Sequence, residues 1–161
     1  MRVDIEKLAA EVGSALKKRG LKLATAESCT GGGLGFWITS ISGSSDWYER
    51  GFITYSNEAK IELLNVKALT LEKQGAVSEK TASEMALGAL HASHANIAVA
   101  ITGIAGPLGG TSDKPVGTVW IGVAVGNKAY ARHYLFKGDR HSVREQTIAE
   151  TLNLILSALN T

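Results

Sequence analysis

Cysteine occurs once in this chain, at Cys29, and proline only twice, at Pro107 and Pro115. A single thiol closes no internal disulfide, so a stapled secreted scaffold is excluded and a reducing compartment, the cytoplasm, is expected. Charge of one sign is also scarce. The net charge is +2 over 161 residues, too little to draw the chain to nucleic acid or to an anionic membrane surface. No apolar run approaches the roughly 20 residues that span a bilayer, and the charged, amphipathic start Met1-Arg2-Val3-Asp4-Ile5-Glu6-Lys7 is unlike a signal peptide. Repeats, low-complexity tracts and linkers are missing, so a single domain over 1–161 is expected. His91 and His94 lie near no Cys, Asp or Glu at metal-ligand spacing and read as surface residues. The glycine-rich turn at 31–33 matches neither G-x-G-x-x-G, nor the P-loop, nor the G-x-S-x-G elbow.

What is present is organised around Ala24-Thr25-Ala26-Glu27-Ser28-Cys29-Thr30-Gly31-Gly32-Gly33. The apolar run 22–26 reads as a short strand. After the glycines, Leu34, Trp37, Ile38 and Ile41 repeat at helical spacing, and Gly43 stops the helix. Ser28, Cys29 and Thr30 therefore sit where a strand ends and a helix begins. Unpaired backbone N–H groups and the positive end of a helix dipole gather there. A hydroxyl or thiol so placed can act as a nucleophile, with nearby amides stabilising an oxyanion. The same pattern serves equally well as a phosphate-binding turn in which Thr30 is an ordinary helix cap.

Elsewhere the pattern alternates helix and strand. Ile5, Leu8, Ala9, Val12 and Leu16 make one face of a first helix, capped by Asp4 and ended by Gly20. Residues 51–55 predict a second strand, followed by a short helix that Ser56 or Asn57 caps. Lys60 falls near the start of that helix, against its dipole. Partial burial would lower its pKa and suit it to general-base work; a solvated surface lysine is the plainer alternative. A helical piece at 69–75 precedes a helix capped by Ser78, with Ala82, Met85, Ala86, Ala89 and Leu90 facing inward. Residues 96–102 are apolar on both faces, as in a central strand. The loop 103–117 follows, at the sheet edge where open α/β sheets bind ligands; it is either a ligand loop or a mobile surface excursion. Residues 118–125 and 129–137 form a hairpin about Gly126-Asn127. A last helix over 142–159 has Ser142 and Glu145 as a capping box. Arg140 and Arg144 at its start point to a bound anion such as phosphate, or else to exposed arginines paired with Asp139 or Glu145. The fold class is α/β: a three-layer α/β/α sandwich with a mixed, largely parallel sheet and one antiparallel hairpin.

Several of these stretches resemble one family. Ala26-Glu27-Ser28-Cys29-Thr30-Gly31-Gly32 resembles the hallmark of the CinA C-terminal domain, the nicotinamide-nucleotide amidohydrolases or NMN deamidases. Thr54-Tyr55-Ser56-Asn57-Glu58-Ala59-Lys60, Gly75-Ala76-Val77-Ser78, Thr102-Gly103-Ile104-Ala105-Gly106-Pro107, Lys114-Pro115-Val116-Gly117-Thr118-Val119 and Gly138-Asp139-Arg140 agree in the same order. The resemblance covers nearly the whole chain and implies the stand-alone form. It implies hydrolysis of the carboxamide of nicotinamide mononucleotide by a Ser/Lys amidase, with no metal and no cofactor. Ser28 is then the nucleophile, Lys60 the base and Tyr55 its helper. Thr30, Gly31, Gly32, Thr102, Gly103, Gly106, Arg140 and Arg144 are the substrate-binding set, with the Thr30 and Gly31 amides as oxyanion hole and Arg140 ahead of Arg144 for the phosphate. Cys29 reads as a packing or positioning residue. The hairpin edge and Trp47-Tyr48 leave room for a homodimer. The alternative is a nucleotide-sensing or interaction module, which the family's link to competence and DNA damage suggests and which would not need Ser28, Tyr55 and Lys60 together.

Overall fold

The computed structural model describes residues 4–160. Asp4 accepts from the Lys7 amide at 3.0 Å and opens α1 (Ile5–Arg19), which Gly20 ends at φ 66°. β1 (Leu23–Glu27), buried throughout, leads into α2 (Gly33–Thr39), a 3-10 turn (Ser44–Asp46) and β2 (Tyr48–Ile53). Then come α3 (Asn57–Leu64), α4 (Ala68–Gln74), α5 (Glu79–His91), β3 (Ile97–Gly103), β4 (Thr118–Val125), β5 (Lys128–Leu135) and α6 (Arg140–Leu159). Among these helices none is long and apolar enough to cross a membrane.

The five strands lie in the order β2-β1-β3-β4-β5. β1 pairs in parallel with β2 and β3, while β3–β4 and β4–β5 are antiparallel. The sheet is thus mixed, and its parallel part is the trio β2-β1-β3. Helices cover both faces. Ile97, Val99 and Ile101 of β3 join Leu16, Leu34, Ile38, Leu152 and Ile155 in one core, on the side of α1, α2 and α6. Ala98 and Ala100 point the other way, where Ala24, Ala26 and Ala124 meet Met85, Ala86 and Ala89 of α5. Burial on both faces explains the unbroken apolar run in β3. The second face is lined by alanine, and α5 lies close against it. A Cβ on Gly122 would overlap the Ala82 carbonyl, and one on Gly88 the Leu64 carbonyl.

Local patterns misplace some element ends. β2 begins at Tyr48, not at 51, because pairing with β1 sets its limits: the Leu23 amide donates to the Trp47 carbonyl at 2.8 Å and Leu23 faces Tyr48. α2 stops at Thr39, short of Ile41; the Thr39 and Ser40 hydroxyls donate back to the carbonyls of Gly35, Phe36 and Trp37, which competes with further helical turns. α6 begins at Arg140, and its cap is Asp139, which accepts from the Ser142 amide at 2.9 Å; Ser142 lies inside the helix. Trp47 is buried over Gly13, so it offers no surface to a second copy.

The consequence for function is geometric. The C-terminal ends of the three parallel strands lie side by side, with Glu27 between Ile53 and Ile101. The residues that follow, Ser28, Thr54-Tyr55 and Thr102-Gly103, meet at one edge of the sheet.

Candidate active site

Ser28 is held as β1 gives way to the turn. Its amide donates to the Ile101 carbonyl at 3.1 Å and its carbonyl accepts from the Gly31 amide at 3.0 Å. Gly31 and Gly32 have φ of 59° and 101°, a left-handed path that glycine takes without Cβ strain. The buried Glu27 carboxylate accepts from the Thr30 hydroxyl at 2.5 Å and from the Leu34 and Gly35 amides at 2.9 and 3.0 Å. The start of α2 is therefore capped by the protein itself, and those amides are not free for a substrate.

Lys60 lies on α3, which Ser56 caps by accepting from the Ala59 amide at 3.0 Å. The side chain runs inward and is only 1% exposed. Its Nζ donates to Ser28 Oγ at 3.1 Å and to the carbonyls of Thr54 and Tyr55 at 3.1 and 3.2 Å. Burial pushes its pKa below the ordinary lysine range, opposed in small part by the Cys29 sulfur. The Cys29 thiol is itself buried, and burial pushes its pKa up to about 12. It stays protonated near neutral pH and is a poor nucleophile.

Ser28, Cys29, Tyr55, Asn57, Lys60, Thr102, Gly103, Gly106 and Arg140 line a pocket of about 300 Å³. The Tyr55 ring is largely exposed at the pocket, and the residue meets Lys60 through its carbonyl. The Thr102 hydroxyl donates to the Ala76 carbonyl at 2.7 Å. Gly103 leaves no space for a Cβ, which would stand 2.7 Å from Val119 and 3.2 Å from Cys29 Sγ. Gly106, at φ 83°, presents its carbonyl to Arg140 Nη1 at 2.9 Å. The loop 104–117 is tied down: the Gly117 amide donates to the Ile104 carbonyl at 2.8 Å, and Lys114 Nζ to the Gln74 carbonyl at 2.7 Å.

Four residues named from sequence do not line this pocket: Thr30, Gly31, Gly32 and Arg144. The Gly31 amide is used inside the turn, and the Thr30 hydroxyl is used on Glu27. Gly32 shapes the turn and, like Thr30 and Gly31, is not among the residues that line this pocket. Arg144 does not line it either. Its Nε and Nη2 donate to the Cys29 and Thr30 carbonyls at 3.1 and 3.2 Å, and it borders a separate outer pocket of about 660 Å³ that shares Arg140 and Ala105 with the inner one. Conversely, pattern reading overlooked Asn57 as a wall residue and Glu27 as a cap. Glu27 stands too far before the helix for ordinary capping rules, although it lies within the hallmark stretch. Among the described residues, no group of three His, Cys, Asp or Glu gathers where a metal ion would sit.

Residues 5–159 match the family model described as the CinA C-terminal domain. A curated relative, the nicotinamide-nucleotide amidohydrolase PncC of Escherichia coli (strain K12), is 51% identical over 153 residues, covering 94% of this chain and 93% of its own. The protein of the same name from Pseudomonas putida is 43% identical over 152 residues, covering 94% and 95%. Among solved structures, the competence/damage inducible protein CihA from Agrobacterium tumefaciens superposes with a TM-score of 0.94 at 44% identity, covering 100% of this chain and 98% of that one. With a match along almost its whole described length, the chain belongs to the CinA C-terminal domain family.

Proposed function

We propose that this chain hydrolyses the carboxamide of nicotinamide mononucleotide to nicotinate mononucleotide and ammonia, through an acyl-enzyme on Ser28 with Lys60 as base, as a cytoplasmic step in recycling pyridine nucleotides. The names of the PncC relatives support the substrate. The observation that carries the chemistry is Lys60 Nζ, buried and 3.1 Å from Ser28 Oγ. A neutral amine has two N–H bonds and one lone pair. As the ammonium, Lys60 donates to Ser28 Oγ; once neutral, it keeps its two N–H bonds on the Thr54 and Tyr55 carbonyls and the Ser28 contact reverses, with Oγ–H donating to the lone pair.

Ser28 gives its proton to Lys60 as Oγ attacks the carboxamide carbon. The ammonium of Lys60 then protonates the departing nitrogen, the C–N bond breaks, and ammonia leaves an ester on Ser28. Water, deprotonated by Lys60, attacks the ester; the carboxylate departs and Ser28 regains its proton. The oxyanion formed at each addition needs N–H donors. The Cys29 and Thr30 amides donate to no backbone carbonyl among the described residues and are the donors that remain beside Ser28. Arg140 keeps N–H bonds beyond the one on Gly106 and, at the junction of the two pockets, takes the phosphate. The ligand is a small nucleotide, not nucleic acid or a membrane, and the reaction needs no metal or cofactor. With Trp47 buried, the exposed edge of β5 is the face left for a homodimer.

Ammonia release from nicotinamide mononucleotide, measured in EDTA for the parent chain and for Ser28→Ala, tests the reading. Turnover by the parent and none by the variant is expected. Undiminished turnover by Ser28→Ala would overturn the nucleophile. Tight binding without turnover by the parent would favour a nucleotide-sensing module.

A further inference from the structure

Arg144 is the fifth residue of α6, and its fork closes on the turn that carries Ser28, on the Cys29 and Thr30 carbonyls at 3.1 and 3.2 Å. Peptide planarity makes these contacts directional, because the C=O and N–H of a trans peptide point opposite ways. The Cys29 carbonyl shares its plane with the Thr30 N–H. Holding that carbonyl on Arg144 turns the Thr30 N–H away from α6. The Thr30 carbonyl shares its plane with the Gly31 N–H, which is thereby turned to close the turn on the Ser28 carbonyl.

We propose that Arg144 is a positioning residue that fixes the two peptide planes after Ser28 and so aims the Thr30 N–H at the oxyanion, leaving phosphate binding to Arg140. This rests on the reading of Ser28 as nucleophile. It divides the labour of two arginines four residues apart: Arg140 borders the inner pocket, whereas Arg144 borders only the outer one.

The test compares the parent with Arg144→Ala, Arg144→Lys and Arg140→Ala. Loss of an oxyanion donor costs about 10²–10³ in kcat, so Arg144→Ala should lose about 10²-fold in kcat while KM stays within about twofold. Arg144→Lys should recover little, because an ammonium lacks the fork; added guanidinium ion should restore part of the loss in Arg144→Ala. Arg140→Ala should instead raise KM. The aldehyde analogue of the substrate, which forms a tetrahedral adduct on Ser28, should bind Arg144→Ala more weakly in proportion to kcat/KM, with product affinity unchanged. A merely misfolded fraction would lower binding stoichiometry rather than this one affinity. A raised KM with unchanged kcat in Arg144→Ala, or parental values of both in Arg144→Ala and Arg144→Lys, would overturn the proposal. Failure of the underlying reading shows separately, as a parent chain that releases no ammonia or a Ser28→Ala variant that still does.

Discussion

A buried amine surrounded by two carbonyls and a hydroxyl has no anion to hold its proton, and Lys60 is in that position. Its folded pKa lies below the ordinary value of 10.5 because of burial. Two pH effects follow. The rate limb that reports the neutral base should rise with pH and level off with a midpoint below 10.5, measured as kcat/KM for ammonia release; a midpoint at the ordinary lysine value would remove Lys60 from the role. Stability should move in the same direction. Between the lowered folded pKa and 10.5 the unfolded chain binds the extra proton, so stability rises with pH across that window, and below it the cost of the buried charge is present in full. In Lys60→Met that rise should vanish, which thermal melts from pH 7 to 10.5 would read as a flatter slope than the parent's. The family motifs implied a Ser28–Lys60 pair, whereas the local pattern left Lys60 as readily a solvated surface lysine; its burial beside Ser28 is set by the fold. The partners of Arg140 and Arg144 were not legible in the sequence, because the two lie four residues apart on one helix and only the packing of α6 against the Ser28 turn decides which carbonyl each one meets.

At the scale of the element, α2 shows how a short helix can depend on a residue outside it. Seven residues make a marginal helix, and Gly32 at its cap position has no side chain to offer. Glu27, at the end of β1, supplies two acceptor oxygens to the Leu34 and Gly35 amides and to the Thr30 hydroxyl. Glu27→Gln keeps the shape but removes the charge and turns one acceptor into a donor facing N–H groups. A hydrogen bond to a charged group is worth about 1.5–3 kcal/mol, so a loss of about 2 kcal/mol or more is expected, read as a lower urea midpoint. The Ser28 turn should loosen with it and kcat should fall; a variant as stable and active as the parent would contradict the capping role. Rules that inspect the residue next to a helix do not see this contact, just as they favour Ser142 over Asp139 at the start of α6. The Ser56 and Ser78 caps are adjacent to their helices and were readable.

For the whole molecule, the sequence pattern carried the alternation of strands and helices, the central place of β3 and the hairpin. It did not carry the antiparallel return of the long loop into β4, because that pairing depends on the Ile104–Gly117 hydrogen bond and the ties around it and not on any periodicity. The two faces of the sheet, one filled by Val, Leu and Ile and the other by alanine, give the protein a lopsided tolerance to change. On the α1–α6 side, truncations should hurt: Leu34→Ala should cost about 2–5 kcal/mol. Among the sheet's own alanines on the face toward α5 there is almost nothing to truncate, and damage comes from growth. Ala100→Val adds methyl groups under a helix with no room to lift, at about 1–3 kcal/mol. A saturation screen read by retained folding should therefore return two opposite volume spectra from alternating positions of the same strand, with Val99 and Ile101 rejecting small residues while Ala98 and Ala100 reject large ones. Drift in this protein is steered by that asymmetry: one side of its sheet holds its large side chains against loss, and the other holds its small ones against growth.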